Sequence, residues 1–187
     1  MQPAMRSRGF TLIELMVTIT VLAVLASIAI PSFSDVIRNN RTAAATNEFV
    51  SALNLARSEA IKRGSPVTIC AAESATKCGG NAAGWTNGWI VFSDVSGDAG
   101  AVDLGKEGDE IVQSSPATAN QLQITTNVAY LQFAGSGTRL DPAGAGAPIE
   151  LDFFVKDEKC TKSTDINRRW VHISRAGRVS MQKVPCA

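Results

Sequence analysis

The sequence predicts an α+β protein: one long N-terminal α-helix packed on an antiparallel β-sheet or β-sandwich that makes up the C-terminal domain. Three observations predict it. Residues 10–30 form an apolar run with no charge at all between Leu15 and Ile30. Farther along, Ala45, Phe49, Ala52, Leu53, Ala56 and Ala60 recur at helical spacing, opposite Asn40, Arg41, Asn47, Ser51, Asn54, Arg57 and Ser58. After Pro66 the pattern changes to short apolar segments punctuated by Gly, Pro and Asn, which is the rhythm of antiparallel strands, and no crossover helices are available.

The elements follow in chain order. Residues 1–9 carry Arg6 and Arg8 and no acid. In an ordinary secretory signal the small-residue cleavage site follows the apolar stretch, whereas here the small residue, Gly9, precedes it. Cutting after Gly9 would leave the apolar run on the mature chain, so 1–9 reads as a leader. The run from Phe10 to Ile30 is 21 residues long, close to the ~20 a bilayer-spanning helix needs. Its basic lead-in predicts a cytoplasmic N-terminus and an exported C-terminal part. Pro31, just past the run, is expected to bend or loosen the helix. Residues 31–64 then form an amphipathic spine that stops at Lys62-Arg63-Gly64-Ser65-Pro66, with bases in the last turn, a Gly cap, then Pro. A single helix from Thr11 to Arg63 would be ~80 Å long at 1.5 Å per residue. Residues 65–187 form the β-rich domain. Strands are expected at 67–70, 88–94, 110–113, 121–126, 128–134, 149–155, 169–174 and 178–182, with a Gly- and Ala-rich loop bearing Cys78 and Trp85 between the first two.

Gly9-Phe10-Thr11-Leu12-Ile13-Glu14-Leu15 resembles the cleavage and methylation motif of type IV prepilins and type II secretion pseudopilins. The resemblance implies cutting by a prepilin peptidase after Gly9, N-methylation of Phe10, and a meeting of Glu14 with the free amine at Phe10 of a neighbouring subunit. Physical chemistry supports that assembly role independently. A carboxylate in hydrocarbon must pair or be neutralised, and a helix ending in an ammonium inside the same apolar bundle supplies the partner. One register then pairs the charges and others leave them bare, so Glu14 would set the stagger between subunits. Two other readings stand beside it: a plain single-span anchor with Glu14 idle in the headgroup layer, and a proton relay, which usually needs several ionisable groups on several spans.

The segments Phe49–Gly64, Pro66–Cys70 and Gly88–Phe92 resemble the GspH/FimT (FimU-like) branch of these proteins, while the C-terminal half matches it only in strand rhythm. The resemblance implies a type IV pilin-like fold and a minor subunit, used sparingly at a filament tip to start or cap assembly of a type IV pilus or a type II secretion pseudopilus. Implied partners are other pilins or pseudopilins through their N-terminal helices, the prepilin peptidase and inner-membrane lipid. The implied location is the inner membrane, single-pass, with the C-terminal domain periplasmic, and then the filament. No cofactor is implied.

Composition and cysteines are consistent with an exported domain. Of 18 basic and 17 acidic side chains, removal of Arg6 and Arg8 leaves 16 against 17, a balance that does not by itself suggest nucleic acid. The four cysteines, Cys70, Cys78, Cys160 and Cys186, are an even count that reads as disulfides. Cys70 and Cys78 most simply close a short loop, leaving Cys160 with Cys186, although four cysteines allow three pairings. A zinc site is disfavoured, because no paired Cys-x-x-Cys spacing occurs and His172 is the single histidine.

No enzyme constellation is visible. His172 within Arg-Trp-Val-His-Ile reads as one face of a strand, and Gly135-Ser136-Gly137 as a turn lacking the outer spacing of a nucleophile elbow. The acid-rich stretch Asp94, Asp98, Asp103, Glu107, Asp109 and Glu110 lacks the ordered alternate ligands of a calcium loop and reads as solvated, with no metal. From Ile166 to Ala187 there are Arg168, Arg169, Arg175, Arg178 and Lys183 with no acid, and Trp170 lies among them. FimT-type relatives bind DNA for uptake, so the resemblance makes Arg168, Arg169, Arg175 and Arg178 candidate DNA contacts at a pilus tip. The family's Gly-Arg-x-Arg tail, however, stands here as Gly177-Arg178-Val179-Ser180, without the second arginine. Solvated hairpin charges, or charges facing a neighbouring subunit, are the competing reading.

Overall fold

A computed structural model describes residues 9–79, 81–95, 108–115, 122–140 and 151–186, apart from the side chains of residues 28–32. The chain divides into two compact units, Met1–Arg38 and Asn39–Ala187. Helix α1 runs from Leu12 to Arg63 and is unbroken at Pro31. Its end is the expected one. Gly64 adopts φ +65° and its N–H donates to the Ala60 carbonyl at 2.9 Å, the left-handed closure that glycine tolerates without a Cβ penalty.

Ten strands follow among the described residues: β1 Val67–Ser74, β2 Lys77–Cys78, β3 Trp89–Ser93, β4 Glu110–Ser115, β5 Leu122–Thr125, β6 Tyr130–Phe133, β7 Arg139–Leu140, β8 Leu151–Asp157, β9 Arg168–Ile173 and β10 Val179–Val184. They form two sheets and all pair antiparallel. The first has the order β4-β3-β1-β6-β7, with β2 paired to β1; the second has the order β10-β9-β8-β5. The eight expected strands are therefore present with shifted ends. The two-residue strands β2 and β7 and the 3-10 turn Ala82–Asn87 are additional. That turn replaces part of the expected loop. Asn81 caps it, its Oδ1 accepting from the Ala83 N–H at 2.9 Å.

The core lies where the spine meets both sheets. Phe49, Ala52, Leu53, Ala56 and Ala60 are all fully buried. They pack with Val67, Ile69 and Ala71 of β1, Trp89 and Val91 of β3, and Leu131 and Phe133 of β6 from the first sheet. From the second come Ile124, Leu151, Phe153, Val155, Val171 and Ile173. Alanines at three of the five spine positions let backbone approach strand, which leaves room for one large anchor. Phe49 fills it, meeting Trp85, Trp89 and Phe153 edge-to-face at centroid distances of 5.5, 5.2 and 4.9 Å. The Trp85 Nε1–H is satisfied by the Val128 carbonyl at 2.7 Å. The far face of the first sheet carries a smaller cluster of Cys70, Ala72, Cys78, Ile90 and Phe92. This explains why β1 and β3 are buried on both faces rather than alternating.

A second junction closes the C-terminal end of α1 onto two turns. The Arg57 Nε donates to the Gly137 carbonyl at 2.9 Å, and its Nη2 to the Ala176 carbonyl at 3.1 Å. Gly177 sits at φ +72°, and a Cβ there would lie 2.1 Å from the Gly137 oxygen. Two turns and a helix thus meet with no room for a side chain. Nearby, Arg63 holds Glu59 at 3.0 Å and Glu110 of β4 at 2.7 Å. Hydrogen bonds from Arg63 and then from Lys62 keep the Glu59 carboxyl below its ordinary pKa.

Two outcomes test this packing. Phe49→Ala should lower unfolding free energy by ~3–5 kcal/mol in chemical denaturation, the usual loss for a large buried aromatic. Glu59→Gln should lower the thermal midpoint at neutral pH. Because Glu59 ionises at lower pH folded than unfolded, its contribution is full above the ordinary glutamate range and is lost as pH falls through the depressed value. Wild type and variant should therefore converge in acid.

Candidate functional site

The N-terminal segment is built around Thr11 and Glu14. The Glu14 Oε2 accepts from both the backbone N–H and the hydroxyl of Thr11, each at 3.1 Å, and the Glu14 N–H donates to the Thr11 Oγ1 at 3.2 Å. This is a reciprocal capping box: two N–H groups with no helical partner are satisfied by two side chains, and the carboxylate sits at the positive end of the helix. Thr11-Leu12-Ile13-Glu14 carries the box's spacing, and sequence reasoning that weighed Glu14 only as a membrane charge missed it. The other carboxylate oxygen, Oε1, has no partner among the described residues.

The surface around this box is apolar and bare. Phe10 is 88% exposed, and Leu12, Ile13, Leu15, Met16, Val17, Ile19, Val21, Leu22, Val24 and Leu25 are all exposed. The hydroxyls in this stretch turn back onto the helix: Thr18 to the Leu15 carbonyl at 2.8 Å and Ser27 to the Val24 carbonyl at 2.7 Å. They present satisfied groups rather than open ones to an apolar surrounding. Among the described residues no helix is long and apolar enough to cross a membrane. The predicted span 10–30 includes residues 28–30, whose side chains lie outside the described residues. The leader, residues 1–8 with Arg6 and Arg8, also lies outside them.

The four candidate DNA-contacting arginines do not form one surface. Strand β9 alternates, so Arg168 and Arg169 point to opposite faces. The Arg168 guanidinium lies over the Phe154 ring at 3.8 Å. Arg169 is 2% exposed, its Nη2 donates to the Asn39 Oδ1 at 2.6 Å, and burial pushes its pKa down. Arg175 and Arg178 are exposed, flanking the turn between β9 and β10. Of the four, these two alone are exposed.

His172 lies on the outward face of β9. Its Nδ1 is 2.9 Å from the Asp152 Oδ1, and the register sets Ser180 across from it. The row reads Asp–His–Ser. However, Ser180 makes no hydrogen bond to His172 among the described residues, and the flat sheet face aims no N–H at a developing oxyanion.

The acid-rich stretch is described only at its ends. The Asp94 Oδ2 accepts from the Thr68 hydroxyl at 2.8 Å and the Gln132 amide at 2.6 Å, the Asp109 Oδ1 accepts from the Val95 N–H at 2.9 Å, and Glu110 pairs with Arg63. Asp98, Asp103 and Glu107 lie outside the described residues. Among the described residues no cluster of His, Cys, Asp and Glu is arranged to hold a metal.

Two disulfides are present. Cys70–Cys78 ties β1 to β2, and Cys160–Cys186 ties the segment after β8 to the chain end beyond β10.

A long N-terminal helix with a bare apolar start, followed by antiparallel sheets packed on its second half, is the architecture of a type IV pilin-like subunit. The type II transport protein GspH family matches residues 45–177 and the prokaryotic N-terminal methylation motif matches residues 4–30. The chain belongs to the GspH family, whose members are structural pilins and pseudopilins that associate with other pilins in a filament. Motif and family together mark a membrane-anchored pilus subunit. Two fimbrial proteins of Pseudomonas aeruginosa are each 39% identical over 70 residues, 37% of this chain. The aligned part spans less than half of those relatives, 45% of their length. Among solved structures, the type IV minor pilin FimU of Pseudomonas aeruginosa matches in two crystal forms. The TM-scores are 0.53 and 0.50 at 22% and 21% identity, covering 76% and 74% of this chain and 89% and 90% of that one. At that identity the likeness is one of fold.

The two bridges should differ in weight. They close loops of 8 and 26 residues, for which loop entropy gives about 2.5 and about 3.5 kcal/mol. Replacing both cysteines of the Cys160–Cys186 pair by Ala should therefore destabilise the chain more than replacing Cys70 and Cys78, read by chemical denaturation.

Proposed function

We propose that this chain is a minor pilin or pseudopilin that starts or caps a type IV pilus or a type II secretion pseudopilus. The proposed organisation is a leader at 1–9 removed after Gly9, a membrane and filament-core helix at 10–30, an amphipathic spine at 31–64 and the β-rich GspH/FimT-type domain at 65–187. Phe10 is N-methylated in the mature chain, whose N-terminus begins on the cytoplasmic side of the inner membrane with the β domain in the periplasm. The observation that carries the reading is the Thr11–Glu14 box at the head of an exposed apolar helix. One carboxylate oxygen is held by Thr11, which fixes the rotamer, and the second remains for the ammonium of a neighbour's Phe10.

Both halves of that pairing reside in the same seven-residue motif, so every subunit offers a donor and an acceptor at a fixed offset. Stacking copies in one stagger neutralises each charge in turn, and any slip leaves an ammonium and a carboxylate uncompensated in an apolar bundle. DNA capture is the less supported use of this domain, since Arg169 is buried and Arg168 lies over Phe154.

The test is Glu14→Ala alongside Glu14→Gln. Both should reach the membrane fraction at wild-type level, and both should be recovered poorly in sheared filaments. Gln keeps an acceptor for Thr11 but not the charge, so its recovery separates capping from pairing. Wild-type recovery of Glu14→Gln would contradict the pairing.

A further inference from the structure

Among the described residues, and leaving aside the two-residue β2, the two sheet orders end on four edge strands, and three of these are blunted. The Ile124 N–H of β5 is taken by the Thr86 Oγ1 at 3.1 Å. Strand β7 has only two residues. Strand β4 is largely half-buried and is tied at Glu110 to Arg63. The fourth, β10, is different: Ser180, Met181, Gln182 and Lys183 are exposed in succession, and among the described residues no strand lies on its outer side.

We propose that the outer edge of β10 is a strand-addition site for an extended, acidic segment of another polypeptide. The pairing register says which backbone groups are on offer. The Ser174 N–H donates to the Arg178 carbonyl at 3.1 Å, so that pair is hydrogen-bonded and the pairs two residues on, 172 with 180 and 170 with 182, are hydrogen-bonded in turn. Val179, Met181 and Lys183 fall in the alternate pairs. Their N–H and C=O groups therefore point away from β9, as an open ladder. The edge is also pinned at both ends, by the turn at Gly177 on one side and by Cys160–Cys186 with the Cys186 N–H on the Asp165 carbonyl at 2.8 Å on the other. A pinned strand loses little further freedom on binding.

Charge chooses the occupant. Arg175, Arg178 and Lys183 are exposed along this edge, and no acid occurs from Ile166 to Ala187. Met181, 44% exposed, and Lys183 share the face that continues the core side of the sheet. A fitting strand carries an apolar residue beside Met181 and a carboxylate beside Lys183. A second copy of β10 would instead bring its own Arg178 and Lys183, with no acid, to an edge that carries the same two charges. An edge lysine also turns away strands without acids.

The full chain in detergent micelles, with a short synthetic peptide alternating Glu and Val as probe, tests the site apart from filament assembly. The peptide should slow amide exchange at Val179, Met181 and Lys183 about tenfold or more, while Ser180 and Gln182, already bonded to β9, stay unchanged. Met181→Pro removes one outward N–H without touching the β9 ladder and should abolish the protection. Lys183→Glu, a surface change that keeps the backbone, should shift preference to the Lys-for-Glu peptide. Absence of protection, equal protection by both peptides on the wild-type chain, or self-association without peptide that Met181→Pro removes would each overturn the proposal; the last would make a second copy the occupant.

Discussion

A carboxyl group placed in an apolar segment must pair or be neutralised, and the rest of this structure is organised around how Glu14 meets that demand. Within one copy the demand is met halfway. Thr11 donates two hydrogen bonds to Oε2 and the helix start adds its own positive field. That leaves a carboxyl group held in place at the head of a helix whose neighbouring side chains are exposed and apolar. In the proposed reading the remaining demand is met by another copy, and the geometry of a filament follows from satisfying it repeatedly.

The second half of α1 answers a different constraint. It must touch two sheets at once, and small residues allow this: Ala52, Ala56 and Ala60 admit strands closely while Phe49 fills the space between Trp85, Trp89 and Phe153. Arg57 and the close-packed glycines at 137 and 177 then fasten the helix end to a turn from each sheet. From Asn39 onward the helix and the β domain therefore belong to one compact unit, and a change at Phe49 or Arg57 touches both sheets.

Much of this was legible in the sequence. The stripe Ala45 to Ala60 and the Lys-Arg-Gly-Ser-Pro stop are local signals with strong periods, and the helix ends at Arg63 as they require. Strands with four or more residues announce themselves by apolar runs; β2 and β7, with two residues each, carry no period to detect. The arginines illustrate the limit most clearly. Arg168 and Arg169 are neighbours in sequence, but strand alternation sends one over Phe154 and the other into the protein against Asn39, a residue 130 positions away. Only the fold supplies that partner. Arg57 is similar: it falls on the polar side of the helix, and its role came from two carbonyls that the turns bring to it. The capping box was legible from the spacing of Thr11 and Glu14 and was overshadowed by the membrane reading of the same carboxylate.

The most direct measurement is the mass of the N-terminal peptide of the native polypeptide recovered from the membrane and from filaments. The account predicts a chain that begins at Phe10 and bears one methyl group on its amine, since that amine is the proposed partner of a neighbour's Glu14. A mature chain that still carries Gly9 and the residues before it would leave no ammonium at the required position and would contradict the account.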